Sequence, residues 1–505
     1  MIQVTRSLRH GLSIGDRRGR RKGCGFQTET LPCNGLQSKP AKYSSSRPSR
    51  SQTLTQPQPQ PSIEPNPQRK PFLPTWAVFW AAFLVRVAYM TLAHTYRFRT
   101  YDDHFQFGWE MGRIARALVT GYGFADPFRG HTGPTAWVAP LYPLLLAGVF
   151  RIFGVFTLRS AWVILTINSF FSALTTRTTY EIAARCLNRR VAIWSAWIWA
   201  LYPAAMQYAV RWVWEMSLST WLFTLVIVLA LRMRSIGEPE ASPREYADGR
   251  TLPRWLLFGL LWGLIALSNP SLLLFLPANG IWILLRARNL RRQIAYASAA
   301  ALVCLGCMAP WIARNALAFH QFIPMRANFG AELYLGNGPG AQGFLMEYNH
   351  PFQAPDQLRL YRQMGEVAYA KMRGRLAKAA IAAAPGLFVR NSVKRFYFFW
   401  ISVPHPSDDA WYVEAGRVAN FAFASVAGLL GLALACKRKM PGVALFVWAF
   451  VTVPLIYYFV TVHARFRHPL EPLIAVLGVY LFQSAQPRPR PAHKPVDAQA
   501  ATPLP

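Results

Sequence analysis

Two kinds of charged residue in this sequence could carry out chemistry, and the first kind is acidic. Asp102 and Asp103 are adjacent, and Glu215 follows Trp212 and Trp214 at the start of a long apolar stretch. A positioned carboxylate can remove the proton of an acceptor hydroxyl or amine. An ionisable group at the edge of an apolar segment is costly to desolvate, and such groups often mark functional sites. These acids are candidate catalytic residues, although a hydrated pair of loop carboxylates is the alternative for the two aspartates.

The second kind is basic and lies in the run His463-Ala464-Arg465-Phe466-Arg467-His468. Guanidinium groups bind phosphate through paired hydrogen bonds and stabilise charge on a departing phosphate. Contact with anionic lipid headgroups is the alternative for this run. Carboxylates opposite an arginine cluster suit a reaction whose donor is a lipid phosphate. We therefore take Arg465, Arg467, His463 and His468 as candidates for binding the phosphate of that donor.

Two other chemistries lack their motifs. The sequence contains no G-x-x-x-x-G-K-[ST] loop and no H-E-x-x-H, so neither P-loop nucleotide chemistry nor zinc-protease chemistry has support. Cys304 and Cys307 form a C-x-x-C pair. Because the pair lies inside an apolar run, it favours helix packing over a redox or metal site.

Membrane spans are the elements that must position these residues. Of the 505 residues, 53% are hydrophobic and 15% are charged, whereas a soluble domain carries roughly 25% charged residues. Much of the formal net charge of +33 lies in short clusters between apolar runs of about 20 residues, which is typical of a polytopic membrane protein. The composition argues against a soluble enzyme and requires no nucleic-acid partner.

The apolar runs predict an all-α polytopic membrane protein with about ten transmembrane helices. The run 135–154 contains Pro140 and Pro143, which fits a broken helix on the outer face better than a span. The run 254–286 is too long for one crossing, and Ser268-Asn269-Pro270 divides it into two helices. The runs predicted to cross are 72–94, 160–182, 191–210, 212–233, 254–286 (two spans), 293–313, 415–436, 441–461 and 469–484.

The orientation follows from the Lys and Arg residues of the short loops. If 135–154 does not cross, all six basic clusters lie inside; if it crosses, every cluster from Arg185 onward lies outside. Both termini are therefore predicted to be cytoplasmic, and the acidic and basic candidates all lie on the outer side. The clusters are the N-terminus, Arg185 with Arg189 and Arg190, Arg232 to Arg254, Arg286 to Arg292, Lys437 to Lys439, and Arg488 with Arg490 and Lys494.

The chain divides into tails, membrane modules and outer segments. Its first 70 residues contain 13 Lys/Arg and 3 Asp/Glu and are rich in Ser, Gln and Pro, which predicts disorder. Such a start also fits an organellar transit peptide or a start codon placed too early. The predicted divisions are a basic cytoplasmic tail (1–70), an N-terminal transmembrane module (71–313) that includes an outer loop (95–159), an extracytoplasmic segment (314–413) with a helix near 356–380, C-terminal spans (414–484) and a disordered tail (485–505).

The chain resembles the polytopic lipid-phosphate-sugar transferases of the GT-C superfamily, in particular glycosyltransferase family 39 with its mannosyl- and aminoarabinosyltransferase relatives. Matching motifs cover about 72–484, and their order and spacing together carry the resemblance. They are Tyr101-Asp102-Asp103, Gly121-Tyr122-Gly123-Phe124, Pro140-Leu141-Tyr142-Pro143-Leu144, Leu201-Tyr202-Pro203, Glu215, Pro310-Trp311-Ile312-Ala313-Arg314-Asn315, Arg326 to Gly330, and Ala464-Arg465-Phe466-Arg467 with Pro469.

The resemblance implies a GT-C-like fold with juxtamembrane helices and a small outer lobe. It implies transfer of a sugar from a polyprenyl-phosphate donor, usually with inversion, and assigns the general base to Asp102 or Asp103. Glu215 would be a second acid that shapes the acceptor or metal site, and Arg465 and Arg467 would bind the donor phosphate. In two places the sequence departs from the family: a second Asp adjoins the first, and Met216 stands where relatives often carry Pro.

The remaining expectations concern partners and location. The acceptor is a lipid, a glycan or a protein, the dependence on a divalent metal is left open, and membrane lipids surround the chain. The expected location is the bacterial inner membrane, with the active site facing the periplasm or exterior. A multi-pass transporter or lipid flippase is the alternative function. Transporters commonly show paired repeats with broken helices in both halves, and this sequence has no matching second half.

Overall fold

The structure is a computed structural model that describes residues 75–98, 105–237, 249–285, 287–344, 349–403 and 411–485. The predicted tails lie outside these residues, apart from Ala485. Asp102 and Asp103 also lie outside them.

The described residues are mainly α-helical, and no strand beyond one isolated bridge, Ala125 with Pro134, occurs among them. This confirms the predicted all-α class. The helices are α1 Thr75–Leu92, α2 Glu110–Val119, α3 Leu141–Phe153, α4 Leu158–Cys186, α5 Arg189–Leu201, α6 Pro203–Val210, α7 Met216–Met233, α8 Leu252–Ser268, α9 Leu276–Leu284, α10 Leu290–Phe319, α11 Phe329–Asn337, α12 Pro355–Met364, α13 Glu366–Ala383, α14 Pro385–Trp400, α15 Trp411–Lys437, α16 Val443–Thr452, α17 Leu455–Phe459 and α18 Glu471–Ser484.

Four helices in the described part of the chain are long and apolar enough to cross a membrane, namely α1, α7, α10 and α15. Several shorter segments are also apolar, and the fold is that of a polytopic membrane protein. The count of ten spans and their orientation stay predictions. The shorter apolar segments are Leu141–Phe153, Leu252–Ser268, Pro270–Leu284 and Val443–Phe459.

The apolar run 135–154 forms a helix only in its second part. Helix α3 has 13 residues, which gives a length of about 20 Å at 1.5 Å per residue. The hydrocarbon core of a bilayer is about 30 Å thick. Helix α3 alone is therefore shorter than this core, and the statement that the run does not cross stays a prediction.

Three of the apolar runs that are predicted to cross are interrupted, each next to a proline. Helix α5 ends before Pro203, α8 ends before Pro270, and α16 is separated from α17 at Pro454. Proline has no backbone N–H, and its ring clashes with the preceding helical turn. The sequence analysis predicted only the break at Pro270.

Small residues allow close packing between α8 and α10. A Cβ atom added to Gly259 would lie 2.1 Å from the backbone oxygen of Ala300, and one added to Gly263 would lie 2.6 Å from the Cβ of Cys307. Such small-residue contacts are typical of membrane helices, which approach each other through their backbones. Cys304 and Cys307 are both unbridged thiols on α10.

A buried carboxylate joins the two segments that are predicted to lie outside, 95–159 and 314–413, which are called the first and second outer segments. Glu366, the first residue of α13, accepts hydrogen bonds from the Thr135 hydroxyl and, at 2.6 Å, from the backbone N of Ala136. Beside them, the backbone oxygen of Trp137 accepts a hydrogen bond from Nε of Arg326 at 2.9 Å. The second outer segment is thus fastened to the first, and Arg326 is held at their junction.

Candidate functional site

The basic run at 463–468 forms a 3₁₀ turn, Ala464–Leu470, directly before α18. The ring Nδ1 of His463 accepts a hydrogen bond from the backbone N of Arg465 at 3.3 Å, which caps the start of the turn. A 3₁₀ helix has three residues per turn, so residues two apart point in different directions. The side chains of Arg465 and Arg467 accordingly have different surroundings.

Arg465 lies over an aromatic ring and among carboxylates. Its guanidinium carbon is 3.2 Å from the centre of the Trp214 ring. Burial lowers the pKa of Arg465, and the negative charges of Glu215, Glu110 and Glu332 oppose this shift. The arginine is therefore a half-buried cation, and the charges of three nearby carboxylates favour its protonated form.

Glu215 is the residue before α7, and the segment that leads to it is fixed by hydrogen bonds. The backbone oxygen of Trp212 accepts from Nδ2 of Asn168 at 3.1 Å, and Oδ1 of Asn168 accepts from the hydroxyl of Tyr142 at 3.0 Å. Burial raises the pKa of the Glu215 carboxyl, and the charge of Arg465 offsets part of this increase. The structure thus brings together Glu215 and Arg465, two residues that sequence analysis predicted for the site.

A further acid, Glu110, also belongs to this cluster. It is the first residue of α2, and its Oε1 lies 3.6 Å from Nε2 of His350. Burial raises the pKa of Glu110 to about 7, whereas burial and the charge of Arg465 lower the pKa of His350 to about 3. At neutral pH the His350 ring is uncharged and Glu110 can gain or lose a proton.

Sequence reasoning missed both Glu110 and His350. One signal could have indicated the acid, because Trp109-Glu110 repeats the Trp214-Glu215 pair that drew attention to Glu215. No comparable signal marks His350.

Aromatic rings form one wall of the cluster. The ring centres of Trp109 and Trp214 are 6.3 Å apart, and those of Trp212 and Trp214 are 5.7 Å apart. Phe352, from the second outer segment, lies 4.4 Å from Trp109. The four rings are half-buried, so the wall combines apolar surface with the neighbouring carboxylates.

The motif that begins at Arg326 supplies another ion pair. Nη2 of Arg326 lies 3.8 Å from Oε1 of Glu332, and Nδ2 of Asn328 donates to the same oxygen at 2.9 Å. The charge of Arg326 also acts on Glu110 and Glu215. The second outer segment therefore contributes a cation and a carboxylate to the cluster.

Arg467 and His468 lie away from this cluster, in the protein core. Arg467 is fully buried, lies 3.3 Å from Oε1 of Glu471, and donates to the Ser425 hydroxyl and, at 3.1 Å, to the backbone oxygen of Phe421. Nδ1 of His468 is 2.6 Å from Oε2 of the same glutamate. Of the four basic residues predicted to bind phosphate, the structure thus places Arg465 among the acids and gives Arg467 and His468 internal partners.

Metal ligands were also sought in the described residues. No group of three or more His, Cys, Asp or Glu side chains suited to a metal ion occurs among them. Asp102 and Asp103 lie outside the described residues, so this finding does not extend to the predicted catalytic pair.

No family model and no curated protein matches the chain, whereas several solved structures are similar to it. It is similar to the apo oligosaccharyltransferase of Archaeoglobus fulgidus, with 15% identity and a TM-score of 0.49 over 81% of this chain and 50% of the other. It is also similar to ArnT of Cupriavidus metallidurans bound to undecaprenyl phosphate, with 14% identity and a TM-score of 0.38 over 81% of this chain and 77% of the other. The chain thus spans about half the length of the archaeal protein.

Proposed function

We propose that the protein is an integral-membrane glycosyltransferase that takes a sugar from a polyprenyl-phosphate donor and transfers it to an acceptor on the extracytoplasmic face. The observation that carries the proposal is the position of Arg465, over Trp214 and beside Glu215 and Glu110. The ordered motifs that resemble glycosyltransferase family 39 also support it. Acidic and basic groups at one site suit a reaction in which a proton is removed and a phosphate departs.

In the proposed reaction, Asp102 or Asp103 removes the proton from the acceptor hydroxyl or amine. The acceptor atom then bonds to the anomeric carbon of the sugar from the side opposite the phosphate, and the bond between that carbon and the phosphate oxygen breaks. The electron pair of the broken bond leaves with the polyprenyl phosphate. Attack from the opposite side inverts the anomeric configuration.

Arg465 is the proposed ligand of the donor phosphate. A guanidinium presents several N–H donors in one plane and binds phosphate with two of them at once. Arg465 makes no side-chain hydrogen bond to another described residue, so its donors are available for a ligand. Because Arg465 is half-buried, its charge stabilises the departing phosphate more strongly than it would in bulk solvent.

We assign positioning roles to the other members of the basic run. Arg467 and His468 share Glu471 as a partner and hold the 3₁₀ turn against α18. His463 caps that turn at the backbone of Arg465. These three residues would fix the direction in which Arg465 points.

The remaining acids would act on the acceptor side. Glu215 stays close to the charge of Arg465, and we assign it the second-acid role that the family resemblance implies. Glu110 has a pKa of about 7, which suits a group that exchanges protons near neutral pH. A divalent metal remains open in this scheme, as does the choice of lipid, glycan or protein as acceptor.

The proposal also fixes where the reaction occurs. With both termini in the cytoplasm, the outer segments and the 3₁₀ turn face the exterior, and the bacterial inner membrane is the proposed location. The lipid-linked donor then reaches the site from the outer leaflet.

Mass spectrometry of envelope glycans and lipid-linked sugars, with and without the gene, tests this function. Deletion should remove one glycan modification and cause its lipid-linked sugar to accumulate. Wild type and the control variant Arg151→Ala, changed at an exposed position of α3, should both restore the modification, and Arg465→Ala should not.

A second assay separates transferase from transporter. The purified protein in detergent should join donor and acceptor, which a flippase cannot do. Normal glycans in the deletion strain, or absence of transfer by the purified protein with a range of donors, would contradict the proposal.

A further inference from the structure

Helix α14, Pro385–Trp400, contacts the protein with one of its faces. Nδ2 of Asn391 donates to the backbone oxygen of Ala341 at 3.1 Å, and Arg395 donates to the backbone oxygen of Phe459 at 3.2 Å. Phe399, eight residues after Asn391, is 1% exposed. Asn391, Arg395 and Phe399 are spaced four residues apart and define the buried face.

A different face of α14 is apolar and exposed. Val389, Val393, Phe396 and Tyr397 are each more than half exposed. They stand at positions i, i+4, i+7 and i+8, so they form one stripe along the helix. This pattern belongs to an amphipathic helix and differs from that of a membrane span, because α14 is short and contains three cations.

Two cations border the apolar stripe. Arg390 and Lys394 are exposed and four residues apart, so they lie next to each other on the helix surface. Neither forms an ion pair or a hydrogen bond with another residue in the described parts of the chain. Successive residues of a helix are 100° apart. The two cations therefore lie between the stripe and Phe398, and Phe396 lies at the opposite edge of the stripe.

The surrounding sequence has an unusual charge for an outer segment. Between residues 367 and 403 there are seven Lys or Arg residues and no Asp or Glu. Excess positive charge is typical of cytoplasmic loops, whereas this segment is predicted to lie outside. A basic excess there needs an anionic partner. Arg373 and Arg395 are buried, and Lys371 donates to Gln321 at 2.6 Å. The exposed cations of α14 are therefore among the residues that can bind an anionic partner.

The position of α14 places this partner at the membrane surface. Phe388 stacks on Phe459 with ring centres 6.3 Å apart, and Phe459 ends the apolar segment Val443–Phe459. In the predicted topology this end of the segment is the outer one. The candidate span α15 follows α14 in the chain. The helix therefore lies beside the ends of membrane-embedded elements.

We propose that α14 lies in the interface of the outer leaflet. Its stripe of Val389, Val393, Phe396 and Tyr397 enters the boundary between headgroups and acyl chains. Arg390 and Lys394 bind the phosphates of anionic phospholipids. Interfacial helices bury their apolar face about 5–10 Å into this region, with basic residues on the polar side. This lipid contact is independent of the glycosyl-transfer proposal.

Spin labelling of the full-length protein tests the depth of α14. Single cysteines at positions 389, 390, 393, 394 and 396 would carry the label, in a variant whose native cysteines are replaced. The vesicles would contain phosphatidylcholine with about 30 mol% phosphatidylglycerol, which supplies an anionic surface. Labels at 389, 393 and 396 should be more accessible to dissolved oxygen than to an aqueous nickel reagent. Labels at 390 and 394 should show the reverse. Equal nickel accessibility at all five positions, or low accessibility of the stripe to both oxygen and nickel, would overturn the proposal.

Photocrosslinking tests the two cations. A benzophenone amino acid at position 393 should crosslink phosphatidylglycerol in preference to phosphatidylcholine. Arg390→Gln with Lys394→Gln should reduce this preference about five-fold per cation removed, the equivalent of about 1 kcal/mol each. The control, Arg375→Gln with Lys378→Gln, changes two exposed cations of α13 and should retain the preference. An unchanged preference in the Arg390 and Lys394 variant would show that these cations do not bind anionic lipid.

Discussion

The guanidinium carbon of Arg465 lies 3.2 Å from the centre of the Trp214 ring. An arginine that uses its face to contact an aromatic ring keeps its N–H donors for other partners. Arg467, two residues later, uses its donors on Ser425, Phe421 and Glu471 inside the core. Two arginines of one short motif thus serve different purposes, and only Arg465 is available to a ligand in the described site.

The first prediction concerns the acid pair that the sequence assigns as general base. Removal of a proton by a positioned group contributes about 10²–10⁴-fold to a rate. One of the two variants Asp102→Asn and Asp103→Asn should therefore lower turnover by about 10²–10⁴-fold. Insertion and folding should remain normal. The transfer rate of the purified variants is the measurement. Near-normal turnover in the double Asn variant would exclude this pair as the base.

The second prediction concerns the stability that Arg467 provides. Removing one partner of a buried ion pair leaves an uncompensated charge and typically costs about 3–5 kcal/mol. Arg467→Ala should therefore lower the unfolding temperature of the protein in detergent far more than Arg465→Ala does. If the two variants lowered the unfolding temperature equally, the ion pair between Arg467 and Glu471 would not provide the expected stability.

The third prediction uses the raised pKa of Glu110. Because the folded state holds this proton up to a pKa of about 7, against an ordinary value of 4.5, the contribution of Glu110 to stability falls as pH rises from about 4.5 to 7. His350, whose pKa is lowered to about 3, acts in the opposite direction between about pH 3 and 6.5. Comparison of wild type with Glu110→Gln separates the effect of Glu110 from that of His350, which both proteins retain. Across pH 4.5–7, the unfolding temperature of the variant should rise relative to that of wild type. The control is Asp356→Asn, which changes an exposed carboxylate of α12. Parallel pH profiles of wild type and Glu110→Gln would contradict the assignment.

The fourth prediction concerns topology. The six basic clusters face inward together only if 135–154 does not cross, so a reporter fused near Arg189 should behave as cytoplasmic. A cysteine placed at position 129 should react with a membrane-impermeant reagent from outside. An external signal at Arg189, with intact expression, would reverse the map and place Glu215 on the cytoplasmic side.

The sequence alone predicted a helical membrane protein, because membrane spans can be recognised as long apolar runs without knowledge of distant contacts. It did not reveal α14, since that helix combines three cations with an apolar face and has no run of sufficient length. It also missed the breaks at Pro203 and Pro454. These prolines lie within runs that remain apolar throughout, so hydropathy alone does not separate the two helices.

The site was predicted in part for a related reason. Glu215 stood out because it is a charge next to apolar sequence, and Arg465 because it belongs to a dense basic run. The contact of Glu110 with His350 joins residues far apart in the chain, and such proximity arises from tertiary packing. The difference between Arg465 and Arg467 depends on the direction in which each leaves a 3₁₀ turn, which residue type does not encode.

Donor kinetics of Arg465→Lys test the central claim most directly. If Arg465 binds the phosphate of the polyprenyl-phosphate sugar, lysine cannot reproduce its planar pair of donors. The purified variant, assayed in one fixed lipid composition, should show a marked loss of turnover and a higher KM for the donor, with little change in KM for the acceptor. Lysine retains the positive charge, so contact with bulk anionic headgroups alone would leave the kinetics almost unchanged. Donor kinetics equal to those of wild type would contradict the phosphate role of Arg465 and remove the main support for a lipid-phosphate donor.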